Sequence, residues 1–181
     1  MIAIYPLRGY NDGKMFIEAK KLIGLPIAAL DTQSKIAEIQ KILVDPNNGN
    51  VLGFLVSSGG IFAPKKVVSA IDIRDWDKNG LVIDSIDNMI EPNDIVRIKD
   101  VLDQKIDLLG MKAKTESGKN LGSIENFLIE TETNCVIKYY LKDLVSKARI
   151  YPAEKVVRIE KQAIIFSDDV EIPTGATEAA A

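Results

Sequence analysis

The chain has 181 residues, 46% hydrophobic and 27% charged, with a net charge of −3, one cysteine and no histidine. A single cysteine excludes an internal disulfide, and the lack of histidine removes the commonest general base and metal ligand together. No apolar run approaches the roughly 18–20 residues that a membrane span requires, and the opening stretch MIAIYPL is too short for a signal-peptide core and is followed by Arg8, Asp12 and Lys14. A cytoplasmic location is the expectation.

Residues 14–84 read as a first unit built of strands. Ile36 to Val44 carries apolar residues at a spacing near two, Val51 to Val56 is a short apolar run, and Val67-Val68, Ile71/Ile73 and Leu81-Val82-Ile83 follow. β-branched residues dominate these runs, as a half-buried pleated surface prefers. Asp45-Pro46-Asn47-Asn48-Gly49 separates two of them and predicts a hairpin, because Pro fixes φ and Asn-Gly accepts positive φ. Asn79-Gly80 makes a second tight turn, whereas Ser57-Ser58-Gly59-Gly60 is a looser connection.

Residues 85–106 differ. Pro92-Asn93-Asp94 reads as a helix start, and Ile95, Ile98, Val101, Leu102 and Ile106 recur at helical spacing. A connecting segment with a short amphipathic helix of about three turns is predicted, its apolar stripe facing the seam between two units.

Residues 107–167 repeat the first unit. Shifted by about 86 residues, Ile39 falls on Ile124, Ile42 on Phe127, Val44 on Ile129, Val51 on Val136 and Val56 on Leu141. Ser117-Gly118 opens a hairpin, and Thr133-Asn134-Cys135 replaces the Asn-Gly turn, with Asn134 suited to a left-handed conformation. Ala37 stands where the second copy has Gly122. Residues 168–181 read as an acidic, Ala-rich disordered tail. Two copies of one module predict two similar small domains, mainly β, in one chain.

The pattern Gly24…Ile27…Ile36-Ala37-Glu38-Ile39…Val44-Asp45-Pro46…Gly49…Val51-Leu52-Gly53…Pro64…Val67…Ile71 resembles the PRC-barrel family. The second copy matches through Gly110, Ser117-Gly118-Lys119, Leu121-Gly122, Ile124, Ile129, Pro152, Val156 and Ile164. The resemblance implies two small antiparallel β-barrels in tandem, joined by a short helix. Family members include the cytoplasmic domain of the photosynthetic reaction-centre H subunit and the C-terminal domain of a ribosome maturation factor. It further implies a protein-docking module with no catalytic residues of its own.

Each cluster that suggests chemistry has a plainer explanation. Asp72, Asp75 and Asp77 lie at a strand end before a turn, without the bidentate Glu of a Ca²⁺ loop. Glu116-Ser117-Gly118-Lys119 lacks the flanking Gly and the Ser or Thr of a phosphate loop. Cys135 begins a strand with no histidine to activate it. Lys138, Tyr140 and Lys142 alternate along one strand, as a solvated outer face would. Residues 16–84 carry 8 basic and 8 acidic side chains and residues 107–166 carry 10 and 8, which argues against direct nucleic-acid binding.

No cofactor, metal site or catalytic residue is expected. The partner-binding candidates are Phe62 in the loop of the first copy and Leu144, Val145, Ile150 and Tyr151 in the second. Apolar side chains in such loops either fold back as barrel plugs or are offered to a partner. The expected function is a non-enzymatic adaptor for a protein partner. The alternatives are a ribosome-assembly or RNA-processing accessory factor and a small-ligand or metal sensor at the inter-domain cleft. The duplication suggests an internal pseudo-dimer and leaves the oligomeric state open.

Overall fold

The computed structural model describes residues 15–59, 64–143 and 148–170. β1 (Phe16–Glu18) and the single-turn helix α1 (Ala19–Leu22) lead into β2 (Pro26–Ala29), β3 (Ser34–Val44), β4 (Val51–Ser57), β5 (Lys65–Ser69), β6 (Ile73–Asp77), β7 (Gly80–Ile83) and β8 (Met89–Ile90). Helix α2 (Val96–Asp103) follows, then β9 (Lys112–Thr115), β10 (Asn120–Glu130), β11 (Cys135–Lys142), β12 (Ala148–Pro152), β13 (Val156–Ile159) and β14 (Ala163–Phe166). They form two sheets, β6-β7-β2-β3-β4-β5-β8 and β12-β11-β10-β9-β14-β13, with β1 added to β10. The protein is therefore mainly β, two curled barrel-like sheets in tandem.

The duplication extends to individual hydrogen bonds. In the β3–β4 hairpin Ile39 faces Val56, Ile42 faces Phe54 and Val44 faces Val51. In the β10–β11 hairpin Ile124 faces Leu141, Phe127 faces Tyr139 and Ile129 faces Val136, the same register. Register shifts fall between Ile39/Lys41 and Leu43/Val44 in one and between Ile124/Asn126 and Leu128/Ile129 in the other. Shared bulges carry the same local bend to both copies. Each copy also holds one parallel pair, β2 with β7 and β9 with β14. The Gly24 amide donates to Ile39 O at 2.8 Å and the Gly110 amide to Ile124 O at 2.8 Å, with φ of 83° and 84°.

Turn chemistry explains why the hairpins close alike. Asp45 Oδ1 accepts from the Asn47 amide at 2.9 Å, and the Gly49 amide returns to Asp45 O at 2.8 Å. In the second copy Asn134 takes φ 55°, and Thr133 Oγ1 donates to Glu130 at 2.6 Å. That turn keeps the register without a glycine because Asn tolerates the left-handed region.

Three segments depart from expectation. Pro92–Asp94 is a separate 3₁₀ turn, closed by the Glu91 amide on Asp94 Oδ2 at 3.3 Å, and α2 runs only eight residues. Ile95 is extended (φ −117°) and Lys105 has φ 57°, so the backbone leaves helical space at both ends. Ile71, expected in a strand, lies in a 3₁₀ turn, Ala70–Asp72, and is 85% exposed. The tail expected from residue 168 starts as an ordered turn. Asp168 accepts from the Ser117 amide at 2.9 Å, Asp169 pairs with Lys155 at 2.7 Å and Val170 is buried. The rest of that tail, 171–181, lies outside the described residues.

The leading segments are exchanged between copies. β1 pairs antiparallel with β10, setting Ile17 opposite Ile129, and α1 also packs on β10. Conversely, α2 packs on β3 and β4 of the first copy. The strands beneath are therefore covered on both faces where these segments lie, and Ile42 to Asp45 and Gly53 to Val56 are buried without alternation. One hydrophobic cluster runs through both copies, with Leu22, Ile98, Ile106 and Leu108 in it.

One interaction is conserved with its partners swapped. In the first copy the Ser85 hydroxyl donates to Asp31 Oδ2 at 2.7 Å; in the second the Ser117 amide, at the position of Asp31, donates to Asp168, at the position of Ser85. The Ser85 hydroxyl and the Ile86 and Thr32 amides hold Asp31 below the usual aspartate range, against a smaller desolvation effect. The Ser117 amide and hydroxyl do the same for Asp168, and Lys155 and Ser167 for Asp169. A carboxyl depressed in the native state stabilises it above the unfolded pKa, and that contribution is lost as pH falls through the native value. Urea midpoints are expected to fall below about pH 4, the ordinary aspartate value. A triple Asn variant at Asp31, Asp168 and Asp169 should show a shallower fall over the same window.

Candidate functional site

The two copies meet at a short antiparallel bridge between Asn50 and Cys135, the residues that directly follow the two equivalent turns. The Val51 amide donates to Asn134 O at 2.7 Å, and the Val136 amide donates to Gly49 O at 3.4 Å. These two bonds exchange under the duplication, which places a pseudo-twofold axis at the bridge. Cys135 Sγ donates to Asn50 Oδ1 at 3.2 Å, so the lone thiol is a structural partner at the seam.

Two grooves flank this axis and use equivalent positions. The first, about 540 Å³, lies between the Ala70–Trp76 stretch and the turn at Thr131, Glu132 and Asn134, with Met15 at its edge. The second, about 150 Å³, lies between Ala153–Ile159 and the turn at Pro46–Gly49. The larger groove therefore belongs to the side where Trp76 stands in place of Ile159. Trp76 is buried and meets Phe54 edge to face, centroids 5.6 Å apart. Ile71 and Ile73 line the same wall. Arg74 Nη1 is held at 2.7 Å from Asp84 Oδ1, so its charge is already paired.

What this groove can do is determined by its wall: an aliphatic turn, one half of an inter-module seam, and polar turn atoms opposite. Among the described residues no group of three or more Cys, Asp or Glu side chains is arranged to hold a metal ion. Asp77 instead accepts from the Asn79 amide at 2.8 Å and shapes the β6–β7 turn. The barrel interiors are occupied by side chains, with Phe127, Tyr139, Tyr151 and Phe166 packed in tilted and edge-to-face pairs at centroid distances of 5.3–6.3 Å in the second.

Phe62, Leu144 and Val145 lie outside the described residues. Ile150 is 48% exposed on β12, consistent with an accessible side chain. Tyr151 is a correction. It is fully buried, because successive residues on a strand point to opposite faces and Ile150 takes the outer one. Its ring lies 5.3 Å from Phe166 and its hydroxyl finds no hydrogen-bond partner among the described residues. Tyr151→Phe should therefore raise stability by about 1 kcal/mol, read as a shifted urea midpoint, because an unpartnered buried hydroxyl carries a desolvation cost.

Sequence reasoning passed over Ile71. The signal lay in the internal alignment, where Ile71 occupies the turn position that the second copy fills with Glu154. An isoleucine where the equivalent exposed turn carries a carboxylate marks an apolar side chain retained on the surface.

Residues 15–90 match the family model for the PRC-barrel domain. No curated protein matches the chain. No helix among the described residues is long and apolar enough to cross a membrane.

Proposed function

We propose that this chain, whose residues 15–90 are a PRC-barrel domain, is a non-enzymatic adaptor that docks a protein partner across the seam between its two barrel-like units. The observation that carries this reading is the placement of apolar surface. The cores are filled with aliphatic and aromatic side chains, while Ile71 stands 85% exposed beside the larger seam groove. Exposed apolar side chains rimmed by polar residues suit docking, and two joined modules fix the geometry of what they hold.

The test is photo-crosslinking from position 71, with position 150 as a second probe, followed by recovery of the captured protein with Ile71→Asp. The reading expects one partner captured at position 71 and its recovery sharply reduced by Ile71→Asp, with the thermal midpoint unchanged. Equal recovery from both proteins would count against the seam.

A second reading has one observation in its favour. A groove of about 540 Å³ falls within the size range of small-molecule sites, roughly 300–1,000 Å³. A sensor of that kind would be stabilised by its ligand. A thermal-shift screen with metabolites and divalent metals that moves the midpoint would favour it over the adaptor.

A further inference from the structure

The sequence holds two Asn-Gly pairs, Asn48-Gly49 and Asn79-Gly80, each at a hairpin turn. In such a pair the glycine nitrogen can attack the side-chain carbonyl carbon of the asparagine, because the glycine carries no side chain to hinder the succinimide ring. Both asparagines are exposed, so access does not separate them.

Their tethers do. The Gly49 amide donates to Asp45 O at 2.8 Å, and Asn48 Oδ1 accepts from the Asn50 amide at 2.9 Å. The same turn is clamped to the second copy, through the Val136 amide on Gly49 O at 3.4 Å and the Asn50–Cys135 bridge. Ring closure at Asn48 must therefore disturb the turn and the seam together. The second turn is held within its own hairpin, where the Asn79 backbone amide donates to Asp77 Oδ1 at 2.8 Å. Among the described residues the Asn79 carboxamide has no hydrogen-bond partner, and no hydrogen bond ties this turn to the second copy. A turn held by one hairpin opens at lower cost than one locked at a seam. Gly80 is fixed by packing, since a Cβ there would stand 2.6 Å from Pro26 O. The reactive pair is thus built into the fold.

We infer that Asn79 is a modification site, deamidating spontaneously in the folded chain ahead of Asn48. The Gly80 nitrogen bonds to Asn79 Cγ, the Cγ–Nδ2 bond breaks, and the proton shed by Gly80 leaves with ammonia. Water then opens the succinimide at either carbonyl, giving aspartate or isoaspartate. Either product adds a negative charge beside Asp77, and isoaspartate adds a backbone carbon to the Lys78–Asn79 turn. Trp76, on the wall of the larger groove, pairs with Leu81 just beyond that turn. The isoaspartyl form therefore loosens the strand that carries it. The inference is independent of the adaptor reading, which stands or falls on its own test.

The experiment incubates the full chain at mildly alkaline pH, folded and in urea, and follows both sites by peptide mass spectrometry. Electron-transfer fragmentation separates aspartate from isoaspartate. In the folded chain Asn79 is expected to convert about tenfold or more faster than Asn48, and in urea the two rates should converge. Equal rates in the folded chain, or a faster Asn48, overturn the inference. So does a folded Asn79 that stays unmodified while the unfolded chain reacts. A preference for Asn79 of the same size in urea also overturns it, because local sequence rather than the fold would then set the order.

Discussion

Gly122→Ala is expected to destabilise the protein by about 3 kcal/mol or more. Gly122 has φ 108°, and a Cβ there would stand 2.3 Å from Lys142 O and 2.8 Å from Lys142 C. Both atoms are backbone, so nothing can swing aside. The residue sits at a register shift between Asn120 and Gly122, where β10 carries one residue more than β9. Its amide donates to Asn120 Oδ1 at 3.0 Å, which holds that bulge closed. An added methyl must push the end of β11 away or force the strained φ onto an L side chain.

The first copy supplies the control. The same extra residue falls on β3, between Lys35 and Ala37 opposite Ile27/Ala28 of β2, and Ala37 occupies the position of Gly122. Ala37 is buried and already carries a methyl. Ala37→Gly should therefore cost only about 1 kcal/mol, the conformational entropy of a glycine in a strand. Thermal unfolding separates the two: a midpoint drop of roughly 6–12 °C for Gly122→Ala against a few degrees for Ala37→Gly. Equal drops would mean that β11 yields where it closes over Gly122.

That contrast marks what the amino-acid order made legible. The repeat was readable because Ile39, Ile42, Val44, Val51 and Val56 reappear as Ile124, Phe127, Ile129, Val136 and Leu141, and strand alternation plus turn glycines convert directly into hairpins. Ala37 against Gly122 was visible too, but its meaning was not. Whether a glycine is required depends on Lys142 O, a contact across two strands that no local pattern carries. The exchange of β1 and α2 between the copies was hidden for the same reason. Local spacing says that the stretch from Ile95 to Ile106 is helical, but neither that Phe16–Glu18 forms a strand nor which sheet each segment will cover. α2 itself came out shorter than its apolar spacing implied, since Ile106 continues the stripe outside the helix. On the candidate site, Ile150 and Tyr151 are neighbours in sequence and were weighed alike, yet strand pleating places one outside and the other in the core. Ile71 was overlooked because its neighbours Val68 and Ile73 belong to strands, and only comparison with Glu154 exposes it.

The exchanged leaders also make the two units one cooperative body, and Leu22→Ala tests this. Leu22 is fully buried in α1, which packs on β10 of the second copy. Truncating it removes aliphatic bulk that neighbouring strands cannot refill, at a cost of about 2–5 kcal/mol. The loss should not stay in one unit. Leu22 belongs to the cluster that continues through Ile98, Val101, Ile106 and Leu108 into the first sheet. Lys41 and Asp107 tie the same seam at 3.3 Å. The protein has one tryptophan, Trp76, which reports on the first sheet. Tyr139 and Tyr151 lie in the core of the second. In Leu22→Ala, tryptophan fluorescence and the near-UV tyrosine dichroism should shift to lower urea together and remain coincident, as a two-state unit requires. A variant in which the tyrosine signal moves while the Trp76 transition holds its midpoint would show that the barrels unfold separately. In that case the exchanged segments would serve as covers rather than as the joint that makes the chain a single folding unit.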